Sequence, residues 1–73
     1  MKNLYEVEDK KEYKIEEIPD SDLLATIGVI PGSIIRKEYT YGFGGPAHIK
    51  LGTRNVAIGK EMAKTVKVSE VSK

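Results

Sequence analysis

The chain contains no cysteine and no tryptophan, and only one histidine and one phenylalanine among its 73 residues. Without cysteine there is no disulfide framework, no thiolate cage for a metal and no cysteine nucleophile. A lone histidine cannot by itself build a zinc or iron site, which takes three or four protein ligands. Long apolar runs are missing too. The longest uncharged stretch, Leu23 to Ile35, is broken by Gly28, Pro31 and Gly32 and is too short to span a bilayer. Met1 to Lys14 is highly charged, so no signal peptide is expected and the chain reads as cytoplasmic. The length allows a single domain over residues 1–73, burying only about 60% of its unfolded surface.

What is present in quantity is charge, at 32% of residues and nearly balanced, 12 basic against 11 acidic. That balance argues against a disordered tail. Its distribution is uneven: residues 1–22 hold eight acids and four lysines, a net of −4, whereas residues 23–73 hold eight bases and three acids, a net of +5. Internal charge compensation is one reading; a two-signed surface that orients a partner is the other. A pI near 7.9 without clustered arginines is no footprint for nucleic acid.

Ile and Val number 14 and Leu only four, which favours strand over helix. Tyr13 to Ile18 reads as a strand stopped by Pro19. Ser21 or Asp20 is placed to cap a short helix on which Leu23, Leu24 and Ile27 fall at helical spacing, with Gly28 as its left-handed end. Pro31-Gly32 is a turn signal. Ser33 to Tyr41 resumes as strand, with Ile35, Tyr39 and Tyr41 assigned to one face and Lys37 intruding on it. A loop, Gly42 to Pro46, follows. Ala47, Ile49 and Leu51 then alternate with His48 and Lys50 as a half-buried strand. Val56 and Ile58 form another strand, Gly59 to Lys64 a helical turn presenting Met62 and Ala63 inward, and Val66 and Val68 the last strand. Five short strands with glycine-rich turns predict a mainly β fold, a small barrel whose closure hides strand edges.

Little here points to chemistry. The GFGGP loop lacks the third glycine of a dinucleotide fingerprint, and Pro46 leads into a strand rather than a helix. Phe43, flanked by glycines, either tucks back over the barrel or anchors a partner, with Tyr41 and Tyr39 as companions. His48 lies on the expected solvent face and is the one candidate metal ligand, with Glu38 as a possible supplement. Glu16 and Glu17 point to opposite strand faces and form no acid/base dyad. No cofactor and no enzymatic activity are expected.

Taken together, LLATIGVIPGS, then GGP, then NVAIGKEMAKTVKV form an ordered pattern that resembles the FeoA family. The positions carrying it are Gly28 to Gly32, then Gly44, Gly45 and Pro46, then Val56, Ala57, Ile58, Ala63, Val66 and Val68. Leu4, Val7, Tyr13, Ile15 and Ile18 also resemble the family's opening strand. The chain departs from the family at Asp9-Lys10-Lys11, where a glycine is common in the first turn, and at Lys37, where an apolar residue is more usual and a loosened core position is expected. The resemblance implies an SH3-like β-barrel, related to the C-terminal domain of DtxR-type iron-dependent repressors. It further implies an accessory role in bacterial ferrous-iron uptake, at most peripheral to the membrane, through contact with the cytoplasmic part of the GTPase permease FeoB. The residues expected at that contact are Tyr41, Phe43, Gly44, Gly45 and Pro46 of the loop, and Leu24, Ile27 and Ile30 around the helix. Two other readings are a metal-responsive module that binds a divalent ion through His48, and a regulatory module that binds a proline-rich peptide.

Overall fold

The computed structural model describes residues 1–19 and 22–71, the side chain of Asp22 excepted. The proposed helix caps Asp20 and Ser21 lie outside the described residues. In chain order the elements are β1 (Lys2–Asn3), β2 (Lys11–Glu17), α1 (Asp22–Thr26), β3 (Ile34–Thr40), β4 (Ala47–Leu51), β5 (Arg54–Ile58), α2 (Lys60–Ala63) and β6 (Lys67–Glu70). The strands form one antiparallel sheet in the order β1-β6-β2-β3-β4-β5.

The mainly β, SH3-like class is the one adopted, but the sheet does not close. β1 pairs with β6 through two residues only, after which the chain turns away at Leu4. It is too short to reach β5, so β1 and β5 remain edges among the described residues.

Alternation places Tyr13 and Ile15 of β2, Ile35 of β3, Ala47 and Ile49 of β4 and Val68 of β6 inward. Leu4, Val7, Leu24, Val29, Ile58, Ala63 and Val66 complete the core, and Met62 packs against its margin. The Tyr13 hydroxyl donates to the Glu8 carbonyl at 3.0 Å, and burial pushes its pKa above the ordinary tyrosine value. Helix α1 is shorter than the spacing predicts and ends where expected: Gly28 has φ 92° and its amide bonds the Ala25 carbonyl.

The alternation on β3 breaks at a bulge between Lys37 and Tyr39, where the register against β4 shifts. Ile35 and Lys37 point inward. Beyond the bulge Tyr39 sits opposite His48 and is turned to the outer face, leaving the face shared with Ile35 that periodicity assigned to it.

Lys37 is the second departure. Its side chain is 1% exposed, and Nζ donates to the carbonyls of Leu4, Tyr5 and Val7 at 3.1, 3.0 and 3.0 Å, with the Asp9 carboxylate at 3.7 Å. An ammonium has three protons, and here each finds an acceptor. Burial lowers its pKa below the usual lysine value, while Asp9 opposes the shift. The residue expected to loosen the core instead fastens the N-terminal segment to β3.

The same segment explains the missing first-turn glycine. Lys10 occupies φ 64°, a left-handed conformation that costs a side-chain-bearing residue about 1 kcal/mol or more. Lys10→Gly is expected to raise unfolding stability by about 1 kcal/mol, read from urea denaturation; a loss of stability would mean that the strain is not there.

Candidate functional site

The loop that connects β3 to β4 is braced on both sides. The Tyr41 amide donates to the Pro46 carbonyl at 3.0 Å, closing the loop at its base. From outside, the Tyr5 hydroxyl donates to the Gly45 carbonyl at 3.0 Å, and the Lys60 ammonium lies 5.9 Å from the Tyr5 ring centroid. Gly45 is there because nothing larger fits: a Cβ at this position would fall 1.9 Å from the Tyr41 carbonyl oxygen. Gly45 is thus a steric requirement of a tight loop, and Gly44, at φ 72°, a conformational one.

Phe43 stands at the tip of this braced loop and is fully exposed. Of the two roles open to it, tucking back over the barrel is not the one adopted. On the outer sheet face, Tyr39 stacks on His48 with ring centroids 4.4 Å apart and planes 10° from parallel. Tyr41 leans over the same imidazole at 6.4 Å and 57°. The bulge in β3 makes this arrangement possible by turning Tyr39 outward. Tyr39, Tyr41 and Phe43 are all exposed, which gives an aromatic surface carried on a fixed backbone.

The residues expected around the helix divide. Leu24 is 1% exposed and belongs to the core, because the inward side of this short helix has room for one large side chain; Leu23, at 64%, takes the outward position. Ile27 is half-buried and Ile30 exposed. Gly28, just past the helix, lies against Leu51 and Arg54, at the far end of β4 from the Phe43 loop. Leu23, Leu24, Ile27, Ile58 and Met62 line an apolar groove of about 110 Å3 between α1, the end of β5 and α2.

The metal reading finds little around His48. Glu38 is occupied by Lys10 at 3.7 Å and by Arg36 at 3.6 Å. Among the described residues no group of three or more His, Cys, Asp or Glu side chains could hold an ion. No helix among them is long and apolar enough to cross a membrane.

Known proteins place the chain more firmly than its side-chain chemistry does. The iron uptake regulatory protein FeoA, seen in a monoclinic crystal, superimposes with a TM-score of 0.85 at 27% identity, covering 96% of each chain. The solution structure of iron(II) transport protein A from Clostridium thermocellum gives a TM-score of 0.86 at 25% identity over 94% of this chain, which spans 45% of that one. Zinc-bound ScaR, at 17% identity, matches with a TM-score of 0.87 over 97% of this chain and 37% of its own, a likeness of fold to the SH3-like domain of DtxR-type repressors. No curated protein sequence matches. The model of the FeoA domain matches residues 2–70, nearly the whole length, and the chain therefore belongs to the FeoA family.

Proposed function

We propose that this chain serves ferrous-iron uptake as a cytoplasmic binding module that contacts the cytoplasmic part of a FeoB-like membrane GTPase permease through the Tyr41–Pro46 loop. Family membership and the two iron-transport relatives support the transport role. The observation that carries the contact is the full exposure of Phe43 on a backbone fixed by Tyr5, Pro46 and the Gly45 approach. An aromatic side chain in water with no cover is an anchor awaiting a pocket, and a rigid carrier loses little entropy on docking. Basic residues of the later two-thirds of the chain favour an acidic permease surface or the anionic inner leaflet.

Phe43→Ala is expected to weaken binding to the soluble GTPase region of the permease by at least tenfold, the scale of a lost anchor of about 2 kcal/mol. Its thermal midpoint should match the parent, because Phe43 touches no core. Calorimetric titration of both proteins reads the difference. Equal affinities would remove the loop from the contact.

A further inference from the structure

The edge strand β5 carries two features that the adaptor reading leaves unused. Its pairing with β4 runs Leu51 opposite Arg54, Ile49 opposite Val56 and Ala47 opposite Ile58, across a two-residue turn. In such a hairpin the residues flanking the turn exchange both ladder bonds, and bonded and non-bonded pairs then alternate. Arg54, Val56 and Ile58 therefore bond to β4, and the amides and carbonyls of Asn55 and Ala57 point away from the sheet. Both residues are exposed, and neither side chain is charged or bulky. Edges are ordinarily guarded by charge, proline or cover; here the one charge on the strand, Arg54, stands at its start with its guanidinium donating to the Ile27 carbonyl at 2.9 Å, and Asn55 and Ala57 carry no guard.

The outer-face rows that end at these two residues differ in character. Tyr39, His48 and Ala57 form one row across β3, β4 and β5. Arg36, Lys50 and Asn55 form the neighbouring row, in which two cations stand directly opposite each other. Directly opposed like charges destabilise a sheet. Arg36 is relieved by Glu38 at 3.6 Å, whereas Lys50 is exposed and has no acid among the described residues. Against the same edge lies the groove of Leu23, Leu24, Ile27, Ile58 and Met62, which Ala57 also lines.

We propose that the free edge of β5 is a strand-addition site for an extended, acidic segment of a partner protein. Main-chain bonds to Asn55 and Ala57 supply the pairing, an acidic side chain next to Asn55 meets Lys50, and an apolar or aromatic one next to Ala57 extends the Tyr39–His48 row. Alternate side chains enter the groove. A second copy of this chain is a poor occupant, since β5, Arg54–Ile58, carries no acidic residue to meet Lys50. The proposal rests on the adaptor reading, for which it specifies the chemistry of the segment recognised.

The test uses the capped peptide SEVYVES, which reads the same in either strand direction, and its cationic counterpart SKVYVKS, titrated into the isotope-labelled full chain. SEVYVES should shift the Asn55 and Ala57 amides and slow their hydrogen exchange, with SKVYVKS at least about tenfold weaker, the usual size of one charge reversal at a partly desolvated site. Ala57→Pro removes an outward amide that the β4 ladder does not use, so the variant should keep its spectrum and lose the peptide. Should that variant not fold, Ala57→Glu sets a carboxylate against the acidic strand and should also lose it. Equal binding of both peptides, undiminished binding by the variants that fold, or concentration-dependent dimerisation through β5 overturns the proposal. Against the GTPase region, loss of binding in Phe43→Ala but not in Ala57→Pro sinks this inference alone. Unchanged binding in both sinks the adaptor reading.

Discussion

Replacing Lys37 with methionine should lower the unfolding free energy by about 3 kcal/mol, the scale of three carbonyls that lose their donor. The stem of the side chain is retained, so the loss is that of the ammonium alone. Three carbonyls, from Leu4, Tyr5 and Val7, lose their shared donor inside or at the edge of the core. Each buried acceptor left without a partner costs about 1–3 kcal/mol, reduced where water can reach it. A domain of this length has a total stability of only about 4–11 kcal/mol, so the variant should be close to unfolded in mild urea. Asp9→Asn should cost far less, because Asp9 is nearly half exposed and 3.7 Å away. Urea titration of the three proteins separates these cases. A Lys37→Met protein within about 1 kcal/mol of the parent would mean that the carbonyls are satisfied without the lysine.

Gly45→Ala should cost about 2–3 kcal/mol, at the upper end of overpacking, because the obstacle is backbone rather than a side chain that can swing aside. The Tyr41 carbonyl oxygen would lie 1.9 Å and its carbon 2.8 Å from the new methyl. Relief requires opening the loop, which breaks the Tyr41–Pro46 bond and withdraws the Gly45 carbonyl from Tyr5. The expected result is a lower thermal midpoint together with weaker partner binding, since Phe43 loses its fixed carrier. Gly44→Ala offers a contrast: its φ of 72° is strained for alanine by about 1 kcal/mol, but the nearest atoms belong to the flexible Lys60 side chain. If Gly45→Ala proves no worse than Gly44→Ala, steric closure of the loop is not what that glycine is for.

Most of the fold was legible because its signals are local. The helix end at Gly28 and the turn at Gly32 are both local signals, met by φ of 92° and 96°, and the alternation of Ala47, His48, Ile49 and Lys50 gives the faces of β4. The failures share a non-local cause. The face of Tyr39 was misassigned because a bulge inserts one residue, which strand periodicity cannot register. Lys37 was read as a flaw because its three acceptors lie about thirty residues upstream, in a segment with no regular structure. Its position between Ile35 and the aromatic Tyr39 was the available signal: a lysine on an inward face needs bonded partners. Closure was expected from strand number, yet it depends on the reach of β1, which ends after Asn3. Within the candidate site the loop residues were legible as a group. The stack of Tyr39 on His48 and the open edge of β5 required the register between strands.

Contact through the Tyr41–Pro46 loop is tested by an amide-resolved titration of the labelled chain with the soluble GTPase region of the cognate permease. The largest shifts are expected at Tyr41 to Gly45, with smaller ones along the Tyr39, His48 and Ala57 row, and little change at Lys2 or Lys67 on the opposite edge of the sheet. Saturating shifts confined to the β1–β6 edge, or none at protein concentrations far above those that ordinary adaptor affinities require, would contradict it.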